Sequence, residues 1–178
     1  ILNLVYIAKS YGLDEVAEYW QQVVRMNDFQ KNRFVHRMLK EMFNTITGKR
    51  IAVFGYAFKA DTGDTRDSPA ITVIEKLLDE RAFVRVTDPK ALDNAKLDLA
   101  ENPLLSLHED PYEAAEECHA IAVVTEWSLF RDLDYKRIYA SMCKPAFIFD
   151  GRNILDHREL QRIGFNVFPL GKPSLTLL

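Results

Sequence analysis

The run Gly55-Tyr56-Ala57-Phe58-Lys59-Ala60-Asp61-Thr62-Gly63-Asp64-Thr65-Arg66-Asp67-Ser68-Pro69 gathers much of the chain's chemically useful side-chain inventory. Lys59 offers a compact positive charge and Arg66 a planar fork that can hold two oxygens at once, so both suit a phosphate. Ser68-Pro69 has the form of a helix start, whose free N–H groups would add further donors for an anion. Asp61, Asp64 and Asp67 outnumber the two cations, so some of them must form turns or pair with Lys59 and Arg66. A dinucleotide-binding turn needs glycines spaced G-x-G-x-x-G. Here Gly55 stands alone beside Tyr56 and Phe58, and the loop is not expected to hold NAD in the ordinary way.

A second cation, Arg152, follows the apolar run Phe147-Ile148-Phe149 through the turn signal Asp150-Gly151, which would project it off the end of a strand. Asp88-Pro89 reads as a turn rather than a ribose-binding acid. The Asp61, Asp64 and Asp67 series lacks acids at the strand tip, so no metal is expected. Cys118 and His119 are adjacent and diverge, and neither has a partner at zinc-ligand spacing. Cys143 reads as a core filler, His36, His108 and His157 as solvated, and Trp127 as covering one edge of a pocket. No nucleophile–base pair is evident, so no catalytic residue is assigned.

These groups can meet only if the elements beneath them bring strand ends to one edge. Residues 1–48 have helical periodicity: Leu4, Val5, Ile7 and Ala8, a stop at Gly12, then a stripe from Asp14 to about Thr45 through Trp20, Val24, Val35, Met38 and Met42. Asn27, Asp28, Gln30, Lys31, Asn32 and Arg33 interrupt that stripe, as a solvated bend or as the middle of a helix bridging two bodies. Beyond Gly48 short apolar runs alternate with helical segments. Strands are expected at Arg50–Gly55, Phe83–Thr87, Leu105–His108, Ala120–Thr125, Ala146–Phe149 and Phe165–Phe168. Helix starts are signalled at Ser68, Asp110 and Asp156. This alternation predicts a Rossmann-like, doubly wound parallel sheet of about six strands over residues 49–178, preceded by a long helix. Ligands of such sheets bind beyond the carboxyl ends of the strands.

The sequence of 178 residues carries 23 basic and 26 acidic residues, a net charge of −3, which gives no global field for nucleic acid or anionic lipid. No apolar run reaches the roughly 18 residues that suggest a membrane span. Two cysteines make no disulfide framework, so a cytoplasmic setting is the default. The opening Ile1-Leu2-Asn3 already has helical pattern, and the chain is read as part of a longer protein.

The phenylalanine-lysine loop ending in Thr62-Gly63-Asp64-Thr65-Arg66, with Trp20-Gln21-Gln22-Val23, Met26-Asn27-Asp28, Asp110-Pro111-Tyr112-Glu113-Ala114, Thr125-Glu126-Trp127 and Phe147–Arg152, resembles the C-terminal part of the UDP-glucose/GDP-mannose dehydrogenase family. Within it the Thr-Gly-Asp-Thr-Arg form points to the UDP-glucose 6-dehydrogenases. The resemblance implies oxidation of UDP-glucose to UDP-glucuronate by two NAD⁺, with NAD bound mainly by an N-terminal domain and a homo-oligomer formed through the long helix. It further implies that Phe58, Lys59 and Arg152 contact substrate and that Arg66 reaches NAD. Asn27, Asp28 and Gln30 receive no binding role. The family's NAD fingerprint and catalytic cysteine do not occur in this stretch, so the chain alone is expected to be inactive. The alternatives are a relative acting on a UDP-N-acetyl sugar or GDP-mannose, or a non-catalytic dimerisation module.

Overall fold

The computed structural model describes residues 1–177. Six strands form one parallel sheet in the order β3-β2-β1-β4-β5-β6. They are β1 (Arg50–Phe54), β2 (Phe83–Thr87), β3 (Leu105–Leu107), β4 (Ala120–Val123), β5 (Phe147–Asp150) and β6 (Asn166–Pro169). The order reverses between β1 and β4, which places the switch point of the doubly wound fold there. The central strands are apolar on both sides: Ile51 to Phe54 and Ala120 to Val123 are all buried. The fold class read from the sequence is therefore the one observed.

The strand ends differ from the sequence boundaries by at most two residues. β5 and β6 start and finish one residue later than expected, so Asp150 closes a strand while its carboxylate also opens the turn that follows by accepting from Arg152 N. β3 stops at Leu107, and β4 stops at Val123 because Val124 and Thr125 both turn back to the Phe54 carbonyl.

The three helix starts behave as their side chains dictate. Ser68 accepts from Ala70 N ahead of α3 (Pro69–Asp79), Asp110 from Tyr112 N ahead of α5 (Pro111–Ala115), and Asp156 from Glu159 N ahead of α8 (His157–Ile163). Between them lie α4 (Leu92–Asp98), α6 (Ser128–Arg131) and α7 (Tyr135–Ser141).

Before the sheet come α1 (Leu2–Ser10) and α2 (Asp14–Glu41). α2 ends four residues short of Thr45, because Phe43 and Asn44 adopt positive φ of 67° and 59°. It is one continuous helix of 28 residues with no break in the polar stretch. Its two halves pack differently. Val5, Ala8 and Ala17 form a small cluster where α1 folds back on the first half. Phe34, Val35, Met38 and Met42 enter the main core. There Phe34 meets Phe149 edge-on at 6.5 Å, and Phe149 stacks on Phe168 at 4.9 Å. Arg37 donates to the Pro169 carbonyl at 2.7 Å and covers the Phe168 ring. The polar stretch is thus straight helix between two packed halves and not a solvated bend.

Candidate functional site

The β1 loop is built from the inside outward. Gly55 leaves the strand at φ +100°, and a Cβ there would sit 2.3 Å from Thr125 Cβ, so only glycine fits. Tyr56 is fully buried, and its hydroxyl donates to Asp98, which also receives the Thr65 hydroxyl at 2.6 Å. Burial, then the neighbouring Asp98 charge, push the Tyr56 phenol well above its ordinary range. Thr125 Oγ1 donates to the Ala57 carbonyl at 2.7 Å, and Phe58 N to the Asp64 carbonyl at 2.8 Å. Phe58, 46% exposed, and the exposed Lys59 thus emerge from a fixed base.

Arg152 arrives from β5. Its backbone N–H donates to Asp150 at 3.0 Å, its Nε to the Val124 carbonyl at 2.5 Å and its Nη2 to the Phe58 carbonyl at 3.4 Å. The Glu126 carboxylate lies 3.3 Å from the same Nε, and its other oxygen accepts from Ala60 N at 3.4 Å. Gly151 permits this close packing: a Cβ there would lie 2.9 Å from the Val123 carbonyl and 3.4 Å from Phe34.

Phe58, Lys59 and Arg152 therefore line one cleft of about 1150 Å³, at the carboxyl edge and close to the β1/β4 switch point. That volume exceeds the usual few hundred to ~1,000 Å³ of a small-ligand site. Lys59 makes no ion pair among the described residues. The far wall comes from the helices: Asn27, Asp28, Gln30 and Lys31 of α2, with Ile1, Leu2 and Asn3. The sequence reading gave the polar face of α2 no role in the site. Its signal was the interrupted stripe; what periodicity could not show is that this face looks back over the sheet edge. The side-chain carbonyl of Gln30 is buried without a partner.

Arg66 is not among the cleft-lining residues. It is 87% exposed and grips Asp64, donating from Nε at 2.9 Å and from Nη2 at 2.7 Å. That fork holds the Asp64 carboxyl down at about 2. Of the three loop aspartates, Asp64 thus pairs with Arg66, as the charge count required.

Four readings need correction. Asp88 is more than a turn starter: it is buried and accepts five N–H bonds. Trp127 does not line this cleft; it is 5% exposed, with its indole N–H on Asp88. His157 is not solvated, because its Nε2 lies 2.8 Å from the fully buried Asp150 carboxylate. Cys143 is only half-buried; the core thiol is Cys118, which burial pushes up to about 12. Among the described residues, no three His, Cys, Asp or Glu side chains are grouped to hold a metal ion.

A doubly wound sheet that brings a lysine and an arginine together beside its switch point, with no glycine turn, has the form of a nucleotide-binding domain distinct from the ordinary dinucleotide type. The family model "UDP-glucose/GDP-mannose dehydrogenase family, UDP binding domain" matches residues 52–157, and the chain belongs to that family. It is 48% identical over 97% of its length to UDP-glucose 6-dehydrogenase 2 of Oryza sativa subsp. japonica, and spans 40% of that protein. It is 50% identical over 97% of its length to UDP-glucose 6-dehydrogenase of Drosophila melanogaster, spanning 38% of it. Among solved structures, the UDP-glucose dehydrogenase of Pyrobaculum islandicum shares the fold at a TM-score of 0.71 and 24% identity, over 93% of this chain and 34% of that one. The UDP-D-ManNAc dehydrogenase of Pyrococcus horikoshii matches at 0.64 and 26% identity, over 90% of this chain and 34% of that one.

Proposed function

We propose that this chain is the nucleotide-sugar-binding share of an NAD-dependent UDP-glucose 6-dehydrogenase, with residues 1–48 a helical segment and 49–178 the UDP-sugar-binding domain. The reaction of such an enzyme is UDP-glucose + 2 NAD⁺ + H₂O → UDP-glucuronate + 2 NADH + 3 H⁺. The observation that carries the reading is the convergence of Lys59, Arg152 and Phe58 on one cleft. Two cations facing one opening fit a diphosphate, and the Phe58 ring can lie against a ribose or hexose face. The identities of 48% and 50% over nearly the whole chain to UDP-glucose 6-dehydrogenases of Oryza sativa and Drosophila melanogaster favour glucose as the sugar.

Each remaining assignment follows from the same resemblance. NAD binds mainly to an N-terminal domain of the same protein, and Arg66, exposed outside the cleft, is the residue that reaches it. α1, the turn after it and α2 expose Tyr6, Tyr11, Tyr19 and Phe29 by 54–78%, large apolar side chains available to a second copy. Two unpaired thiols suit a cytoplasmic setting. No helix among the described residues is long and apolar enough to cross a membrane.

Titration calorimetry of the 178-residue chain with UDP tests the binding claim. Lys59→Ala and Arg152→Ala should each weaken UDP roughly tenfold, the loss of one charge-assisted contact. Unchanged affinity in both variants would remove the cleft from consideration. The chain mixed with UDP-glucose and NAD⁺ should produce no NADH; turnover would overturn the division of labour.

A further inference from the structure

Asp88 stands just past the end of β2, the place from which dinucleotide-binding sheets offer an acid to a ribose. Here it is 3% exposed and its oxygens face protein donors. Oδ2 accepts from Tyr56 N at 2.7 Å, Ala57 N at 3.0 Å and the Trp127 indole at 3.0 Å. Oδ1 accepts from Lys90 N and Ala91 N, both at 2.9 Å. An ionised carboxylate has about four lone-pair sites, so five donors leave nothing for a sugar hydroxyl.

The donors come from three separate segments: the β1 loop, the turn into α4 and the loop after β4. Phe58 and Lys59 follow directly on two of them. Glu126, the neighbour of Trp127, touches Arg152 and Ala60 N. One buried carboxylate therefore ties together the segment that presents Lys59 and the segment that steadies Arg152.

We propose that Asp88 is a positioning residue for the nucleotide site: it fixes the Phe58–Lys59 arm against Arg152, in place of the ribose contact made by its counterpart in dinucleotide folds. This rests on the reading of the cleft as a UDP site. Hydrogen bonds to a charged acceptor are about twice as strong as neutral ones, so one side chain can hold an arm that lacks the tight glycine turn.

The test is a double-mutant cycle on the full 178-residue chain, read by UDP affinity in calorimetry, with amide hydrogen exchange on the same samples. Asp88→Asn should lower UDP affinity about tenfold in the wild-type background but less than about twofold in a Lys59→Ala background, because it acts through that arm. Exchange at Tyr56 and Ala57 should quicken while the β4 and β5 amides keep their protection. Asp134→Ala, which removes only the N-cap of α7, should lower the melting temperature and leave UDP affinity unchanged. Additive losses in the cycle, or unaltered exchange at Tyr56 and Ala57, would overturn the proposal. If Lys59→Ala itself binds UDP normally, the cleft reading fails, and exchange at Tyr56 and Ala57 alone decides whether Asp88 holds the arm. Should Asp88→Asn not fold, Trp127→Phe, which removes one donor and keeps the carboxylate, takes its place. It is then expected to show about threefold loss with the same dependence on Lys59, and equal loss in both backgrounds would refute the idea.

Discussion

Arg66 and Asp64 make the loop's one two-pronged ion pair, and their exposure limits what that pair contributes to stability. Its signature is in titration. The folded carboxyl of Asp64 sits at about 2, below its ordinary 3.8, so the pairing is fully present above 3.8 and is lost as pH falls through about 2. Arg66→Ala should return the Asp64 midpoint to near 3.8, measured by carbon-detected NMR of its carboxyl. The two thiols give a second residue-scale outcome. Cys118 is buried, hydrogen-bonded to the Ala114 carbonyl and held protonated to about 12, whereas Cys143 is half-buried. A mass-based alkylation experiment at neutral pH should modify Cys143 first, with Cys118 reacting only after denaturant is added. At this scale the sequence was a partial guide. The residue types named Lys59 and Arg66 as phosphate partners, with Arg152 a further cation at the same edge, and only Lys59 and Arg152 line the cleft. Nothing in a one-dimensional string distinguishes an aspartate that starts a turn from one that collects five donors. Asp88 and Asp150 differ from surface aspartates only in where the chain has carried them.

Among the elements, β1 with its glycine exit and the second half of α2 decide whether the cleft exists. Gly55→Ala would place a Cβ 2.3 Å from Thr125 Cβ in a positive-φ backbone, and should lower stability by about 2–4 kcal/mol in urea unfolding, with UDP affinity falling alongside. Met38, on the buried side of α2, is fully enclosed, and Met38→Ala should cost about 2–5 kcal/mol by the same measurement. Element type was legible because each signal was local: β-branched apolar runs for strands, Ser68, Asp110 and Asp156 for helix starts. Element ends were less so. The last turn of α2 is set by the positive φ of Phe43 and Asn44, and neither residue type announces a stop as a glycine does. The docking of α2 against Phe149 and Phe168 depends on a contact across more than a hundred residues, which periodicity cannot carry.

At the scale of the whole molecule the sheet order sets the site. With β1 and β4 at the centre and the order reversing between them, the loops after β1, β4 and β5 must rise beside one another. The alternation of strands and helices disclosed this architecture in advance, and with it the edge at which to look. The exposed apolar residues of α1 and α2 lead to a separate expectation. Phe29→Glu and Tyr19→Glu should shift sedimentation toward a slower, smaller species while leaving far-ultraviolet circular dichroism unchanged, since both side chains lie more than half exposed and outside the core.

The chain's longest helix is fastened to the sheet only from Phe34 onward, yet Ile1 to Asn3 and Gln30, on its unfastened side, border the same opening as Lys59 and Arg152. A rod pinned at one end has leverage at the other. The same side chains that fasten α2, Phe34, Val35, Met38 and Met42, therefore also decide where the polar wall of the cleft stands relative to the sheet edge.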